Sequence, residues 1–255
     1  MFSLFARGLS GLPEIRTGDD LAALIVASVG PREPLRDGQM VVIAHKVISK
    51  AEGAVVDLST VTPSERAADL ASEQDKDARA VQVVLDQSAE ILRAANGVLI
   101  SRTHHGFVCA NAGVDASNAA GEDGAETLIV LPRDPDASAR RLRTCLRELT
   151  GVSPAVLITD SFGRAWRHGQ CDVAIGCAGM APLEDWRGRT DSVGLELRAT
   201  WLAVADAAAA CADLARAKDS REPVVLIEGL QRFVTSEDGP GAVALMRPLD
   251  EDLFR

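Results

Sequence analysis

The sequence predicts an α+β fold of mixed, largely antiparallel sheets with packed helices, and three observations predict it. The 255 residues are 47% hydrophobic and 25% charged, the composition of a folded globular chain, and are enough for one large domain or two small ones. Short apolar, β-branched runs are separated by segments of helical periodicity, but the two do not alternate strictly as a doubly wound parallel sheet requires. Two of the apolar runs, 98–101 and 106–110, are separated only by a polar turn, the spacing of an antiparallel pair. The sequence carries no internal repeat, low-complexity tract or obvious linker, so a single unit over 1–255 is expected.

The elements follow in order. Acidic Asp19 and Asp20 before LAALIVASV, with Gly30-Pro31 after it, predict a helix over 18–29. The Asp37-Gly38 turn leads into MVVIA, a buried strand over 40–44 that delivers Lys46 and Lys50 to its C-terminal end. Thr62-Pro63-Ser64-Glu65 reads as a capping box opening a helix through about residue 73. Val81, Val84, Leu85, Ile91 and Leu92 recur at helical spacing, which predicts a helix over 77–94 ended by Asn96-Gly97. A Gly-containing loop near 121–124 precedes a strand over 127–131, a helix over 136–150 and a strand over 155–160 with Asp160 at its end. A short strand over 173–176, the longest helix over 194–217 and a strand over 223–229 complete the series.

Charge bounds the partners. With 27 Lys and Arg against 37 Asp and Glu, the net charge of −10 repels a polyphosphate backbone, so nucleic acid is not an expected partner. A small anionic ligand needs a local cation cluster or a divalent metal to overcome that field. Five cysteines, odd in number and without a C-x-x-C pair, indicate neither a disulfide set nor a zinc ribbon. No signal-peptide core and no apolar run near the ~20 residues of a membrane span is found, so a cytoplasmic chain without membrane contact is expected.

Three polar clusters sit at the ends of apolar runs: Lys46 to Glu52, Asn111 to Asn118, and Asp160 to Gln170. In the second, Asp115 stands among Gly113, Ala116 and Ser117, small enough for a phosphate or metal to approach the backbone. An ordinary Asx turn is the alternative. The third joins Asp160 to Arg164, Arg167 and His168 between glycines, where arginine suits bidentate recognition of an anion, or where Asp160 simply pairs with an arginine. Mg²⁺ or Mn²⁺ takes hard oxygens, one or two carboxylates plus phosphates and water, which Asp115 and Asp160 could supply. His104-His105 suggests zinc less, because neighbours on a strand face opposite ways. Cys109 reads as a buried thiol without a base, and Trp166, Trp186 and Trp201 as packing residues. Neither G-x-x-x-x-G-K-[ST] nor G-x-G-x-x-G occurs, so a nucleotide site would be built differently.

These clusters resemble a known family. GLPEI followed by GDDL (11–15, 18–21), VISKAEG (47–53), NAGVDASN (111–118), ITDSFGRAWRHGQCDVAIG (158–176) and DWRGRTDSVGLEL (185–197) are similar, in order, to segments of the coenzyme F(420)-0:L-glutamate ligases. The resemblance implies GTP-dependent addition of L-glutamate to coenzyme F(420)-0 through an acyl phosphate, with GDP and phosphate released. It implies Asp115, Asp160 and Ser161 as ligands of Mg²⁺ or Mn²⁺, with a monovalent cation as a further cofactor. Leu12, Pro13, Glu14, Ile15, Lys50 and Asn118 match nucleotide-contacting positions. Arg164 and Arg167 are assigned to an anionic substrate or phosphate from their chemistry alone. A two-part α+β ligase fold, with two intertwined subdomains, and a homodimer with its site near the interface are further implied. A nitroreductase-like domain, which some relatives carry after the ligase part, is not expected in 255 residues. The sequence departs from the family at 216–223, RAKDSREP, where members carry a glycine-containing segment that helps hold nucleotide and metal. It departs again at His45-Lys46, where some members carry small hydroxyl residues. The alternatives are a related amide ligase for another carboxylic acid and a nucleotide-binding regulator without turnover.

Overall fold

The run 40–44 carries only apolar side chains, and it becomes the middle strand of a five-stranded sheet in which Met40 to Ile43 are fully buried. The structure, a computed structural model, describes residues 3–116, 126–217 and 219–252. In chain order, β1 (Phe5–Gly8) leads through a loop to α1 (Leu21–Val29), then β2 (Met40–Ala44) and, without a break, α2 (His45–Ala51). Next come β3 (Val55–Asp57), α3 (Glu65–Gln74), α4 (Ala78–Asp86), β4 (Ser88–Ala95), β5 (Val98–Thr103) and β6 (Val108–Ala110). β7 (Thr127–Ile129), α5 (Pro135–Thr150), β8 (Ala155–Arg164) and β9 (Arg167–Ala178) follow. β10 (Leu183–Asp185), β11 (Trp201–Ala203), α6 (Val204–Ala215) and β12 (Val224–Glu228) complete the set.

The main sheet runs β1-β12-β2-β8-β9, and only β2 and β8 pair in parallel. Its side chains alternate between two cores, as period-2 geometry requires. Val41, Ile43, Val156 and Ile158 pack with Ile25 of α1 and Leu142 and Leu146 of α5. Met40, Val42, Ala155 and Leu157 pack on the other face with Ala205, Ala208, Ala209 and Ala212 of α6, whose small side chains let the helix lie close. A second part consists of the antiparallel sheet β4-β5-β6 under α3 and α4, with its own core around Ala67, Val81, Val84 and Leu99. The mixed, largely antiparallel α+β arrangement is the one the sequence predicts.

Several boundaries differ for local reasons. The first helix starts at Leu21, not 18, because the Asp20 carboxylate caps it by accepting the Ala23 N–H at 3.0 Å. Ser64, not Thr62, caps α3, its hydroxyl accepting the Ala67 N–H at 3.2 Å, so Pro63 precedes the helix. The expected helix over 77–94 stops at Asp86, and residues 88–95 form a strand instead. Asn96 and Gly97, read as a helix stop, are a two-residue hairpin turn with φ of 53° and 74°, and they pair β4 back onto β5. No helix covers 194–203; α6 begins at Val204, and α5 is longer. The strand expected to end at Asp160 continues to Arg164 and turns into β9, so the cluster 160–170 is a hairpin. The short helix α2 directly after β2 was not expected, and the 121–124 loop lies outside the described residues. No helix among the described residues is long and apolar enough to cross a membrane.

Candidate functional site

The joint between β2 and α2 meets two of the expected acids, one at each of the first two residues of the helix. The backbone passes from strand to helix at Ala44, so the first helical residues, His45 and Lys46, stand at the C-terminal edge of the sheet. His45 Nε2 lies 3.3 Å from Asp160 Oδ1, and Lys46 Nζ lies 2.7 Å from Asp115 Oδ2. Two carboxylates 45 positions apart in sequence are thus held by consecutive residues of one helical turn. Their side chains are 16% and 34% exposed, enough to reach a ligand and too little for full hydration.

Different devices hold the two acids. Asp160 sits on β8 between Ile158 and Phe162, all three facing the core of α1 and α5, and its Oδ1 accepts the Ser161 N–H at 2.8 Å. Asp115 is fixed by two backbone hydrogen bonds of 2.9 Å to Ile129, after the turn Asn111-Ala112-Gly113 with φ of 51°, 53° and 71°. A Cβ on Gly113 would stand 2.9 Å from the Leu131 side chain, so glycine is needed there for space as well as for backbone freedom. Asn111 Oδ1 accepts the Leu99 N–H at 3.2 Å and ties the turn to β5.

The expected nucleotide-contacting positions fall near the same helix. Leu12 to Ile15 form the loop between β1 and α1; Ile15 is buried against the core that includes Val47 and Ile48, and Lys50 pairs with Glu14. Asn118 lies outside the described residues.

Ser161 does not share the Asp160 face. Neighbours on a strand point opposite ways, and the Ser161 hydroxyl donates to Asp172 Oδ1 at 2.6 Å on the side of α6. Asp172 is fully enclosed: Thr159 Oγ1 donates to its other oxygen at 2.8 Å, and the Arg216 guanidinium pairs with that oxygen. Arg216 also donates to the Pro223 carbonyl at 3.0 Å, so the segment that departs from the family is anchored by a buried ion pair. Arg164 and Arg167 sit at the exposed end of the β8–β9 hairpin, where Arg164 Nη2 donates to the His168 carbonyl at 2.8 Å. Four residues of strand separate Arg164 from Asp160, roughly 13 Å.

The remaining expectations divide. Burial first, and then the nearby Asp160 charge, push the Cys109 thiol up to about 12, so it is a neutral structural group. His104 and His105 lie in a turn and meet different carbonyls, of Asp86 at 3.1 Å and Pro132 at 2.9 Å. Trp166 does not pack in a core: it caps the hairpin tip, 83% exposed, because the turn there projects it outward. The Trp201 and Trp186 rings lie under Arg187 and Arg189, at 4.4 and 4.8 Å. Sequence reasoning missed His45, Asp172 and Arg216 as members of the polar network. The alternation of DVAIG, which places Asp172 on the same face as Ala174, was the available signal for one of them.

No cluster of three or more His, Cys, Asp or Glu side chains able to hold a metal occurs among the described residues. The donors Asp115 and Asp160 nevertheless fit a hard divalent cation. Both are carboxylates, both are partly exposed, and one or two such groups with phosphate oxygens and water make up an ordinary Mg²⁺ or Mn²⁺ shell. Two surface depressions, of about 300 Å³ beside Leu85 and Ile91 and about 500 Å³ beside Phe5 and Gln231, are not lined by these acids.

The class this fold and site define is an α+β chain in which two acids and two lysines are gathered around the start of one helix. The family model for F(420)-0:gamma-glutamyl ligase matches residues 11–229, and the chain belongs to that family of amide-bond-forming ligases. The coenzyme F(420):L-glutamate ligase of Methanothermobacter thermautotrophicus is 42% identical over 250 residues, covering 97% of each chain. That of Methanopyrus kandleri is 43% identical over 244 residues, 95% of this chain and 94% of the relative. That of Methanocaldococcus jannaschii is 41% identical over 223 residues, 87% and 86% respectively.

Proposed function

We propose that the protein joins L-glutamate to coenzyme F(420)-0 through an amide bond, using GTP and releasing GDP and phosphate. The observation that carries this reading, beside family membership, is the convergence of Asp115 and Asp160 on His45 and Lys46. In the proposed reaction the substrate carboxylate attacks the γ-phosphorus, GDP departs, and an acyl phosphate forms. The glutamate amine then attacks the acyl carbon, phosphate departs, and the amine loses its proton. Such chemistry needs positioning and charge stabilisation more than a protein nucleophile. The enclosed, protonated Cys109 thiol is consistent with that.

In this reading Asp115 and Asp160 hold a divalent cation, Mg²⁺ or Mn²⁺, which when bound neutralises triphosphate charge. The loop 12–15 and Lys50 take the nucleotide, and Lys46, now on Asp115, lies where its ammonium can turn to a phosphate. Asn118 completes the nucleotide set. Ser161 serves as a further ligand only for a cation on the Asp172 face, since its hydroxyl is directed there. Arg164 and Arg167, at the open end of the hairpin, are suited to an extended anionic substrate rather than to the reacting phosphate. A monovalent cation, a homodimer and a cytoplasmic location complete the proposal.

Incubation of the protein with GTP, Mn²⁺, L-glutamate and F(420)-0 tests it. The expected result is a product heavier by one glutamyl residue, with GDP formed in equal amount. GDP release only with another carboxylic acid would favour a related amide ligase. Nucleotide binding without turnover of any acid would favour a regulator.

A further inference from the structure

We infer that His45 supplies a nitrogen ligand to the divalent cation held by Asp160, so that the site takes Mn²⁺ in preference to Mg²⁺. The inference rests on the cation reading above and adds a ligand to it. His45 is 2% exposed, and its Nε2 is a buried polar atom that makes no hydrogen bond. Such atoms are rare, because each forfeits the hydration of an exposed one without a replacement. The unpartnered nitrogen is not directed at apolar wall: it lies 3.3 Å from Asp160 Oδ1.

Two ligands at right angles around a divalent ion, each about 2.1 Å from it, stand about 3 Å apart. The observed separation of 3.3 Å is close to that spacing. The other ring nitrogen, Nδ1, lies 3.3 Å from Ser49 Oγ, one helical turn further on. With the Nδ1 proton directed at that hydroxyl, the lone pair of Nε2 points at Asp160, where a cation satisfies both groups. A hydrogen bond to the second ring nitrogen is the usual device that fixes tautomer and ring orientation in a ligating histidine. Imidazole favours transition ions, while Mg²⁺ holds to oxygen, which gives the direction of the preference.

The 255-residue protein, freed of metal, is titrated with Mn²⁺ alone and followed by electron paramagnetic resonance. Electron spin-echo modulation then reports any nitrogen bonded to the ion. Expected are one bound Mn²⁺ with imidazole nitrogen modulation, loss of that modulation in His45→Asn, and a Mn²⁺ over Mg²⁺ preference reduced about tenfold in the same variant. The protein has four histidines. A triple variant, His104→Asn, His105→Asn and His168→Asn, should therefore keep the modulation, and it tests the inference even if His45→Asn does not fold. Mn²⁺ bound without nitrogen modulation, or modulation lost in the triple variant, overturns the role of His45 and leaves the two carboxylates standing as ligands. Failure to bind Mn²⁺ at all overturns the cation reading and the inference together.

Discussion

Asp160 and Asp172 lie on the same β8–β9 hairpin, yet the fold treats them oppositely. Asp172 has both oxygens filled, by Ser161 on one side and by Thr159 and Arg216 on the other, and its side chain has no exposure. Asp160 is 16% exposed and faces His45 across 3.3 Å and Cys109 on β6. A carboxylate whose lone pairs are saturated inside the protein contributes to the fold and has little left for a ligand. One that is half-satisfied at an edge beside an imidazole keeps the capacity to bind. The face on which each residue lands therefore separates a structural acid from a candidate functional one.

The largest expected effect breaks the enclosed side of this comparison. Arg216→Met should cost about 3–5 kcal/mol in urea unfolding, because it leaves Asp172 as an uncompensated buried charge. Arg232→Ala, which removes an exposed partner of Glu184, should cost less than about 1 kcal/mol.

The open side should respond the other way. Asp160→Asn and Asp115→Asn should each lower ligase turnover about 100-fold or more, measured by GDP release, with the unfolding midpoint nearly unchanged. Full turnover in both variants would sink the site as drawn.

Alkaline pH gives a third test. Burial raises the thiols of Cys109 and Cys177 from 9.0 to about 12 in the folded chain. Between those values the folded state binds more protons than the unfolded one, so stability should be whole below pH 9 and fall as pH rises towards 12. Cys109→Ala should flatten part of that slope, as read by urea unfolding at successive pH values. In Asp160→Asn the thiol should titrate somewhat lower, because a neighbouring negative charge is gone.

The smallest effect lies far from the site. Ser64→Ala should cost about 1 kcal/mol by removing the cap of α3, read as a lower melting temperature.

Local patterns were legible where one signal dominated. MVVIA is a strand over the expected 40–44 because five consecutive apolar residues bounded by a turn suit a position buried on both faces. The helix expected over 136–150 forms as α5, one residue earlier, with Asp134 as cap and Pro135 in its first turn. Periodicity misled at 88–95, where Ile91 and Leu92 fit a helical count but pairing with β5 decides the conformation. Within the candidate site, Asp115 and Asp160 could be named from composition and turn chemistry. That Ser161 faces Asp172 could not be fixed while the strand was read as ending at Asp160.

The sequence by itself determined which segments are apolar enough to form strands, where several helices are capped, and which acids stand beside small residues and cations. These are local matters, set by side-chain volume, propensity and hydrogen bonding within a few positions. Only the tertiary structure decided that His45 and Lys46 meet Asp160 and Asp115, and that Arg216 is drawn inward onto Asp172. Those meetings depend on strand register, on the bulge that leaves Ile175 unpaired between Ile158 and Thr159, and on the turn of the chain into α2. Such features are fixed by packing between distant segments, because a one-residue change of register moves every side chain to the opposite face.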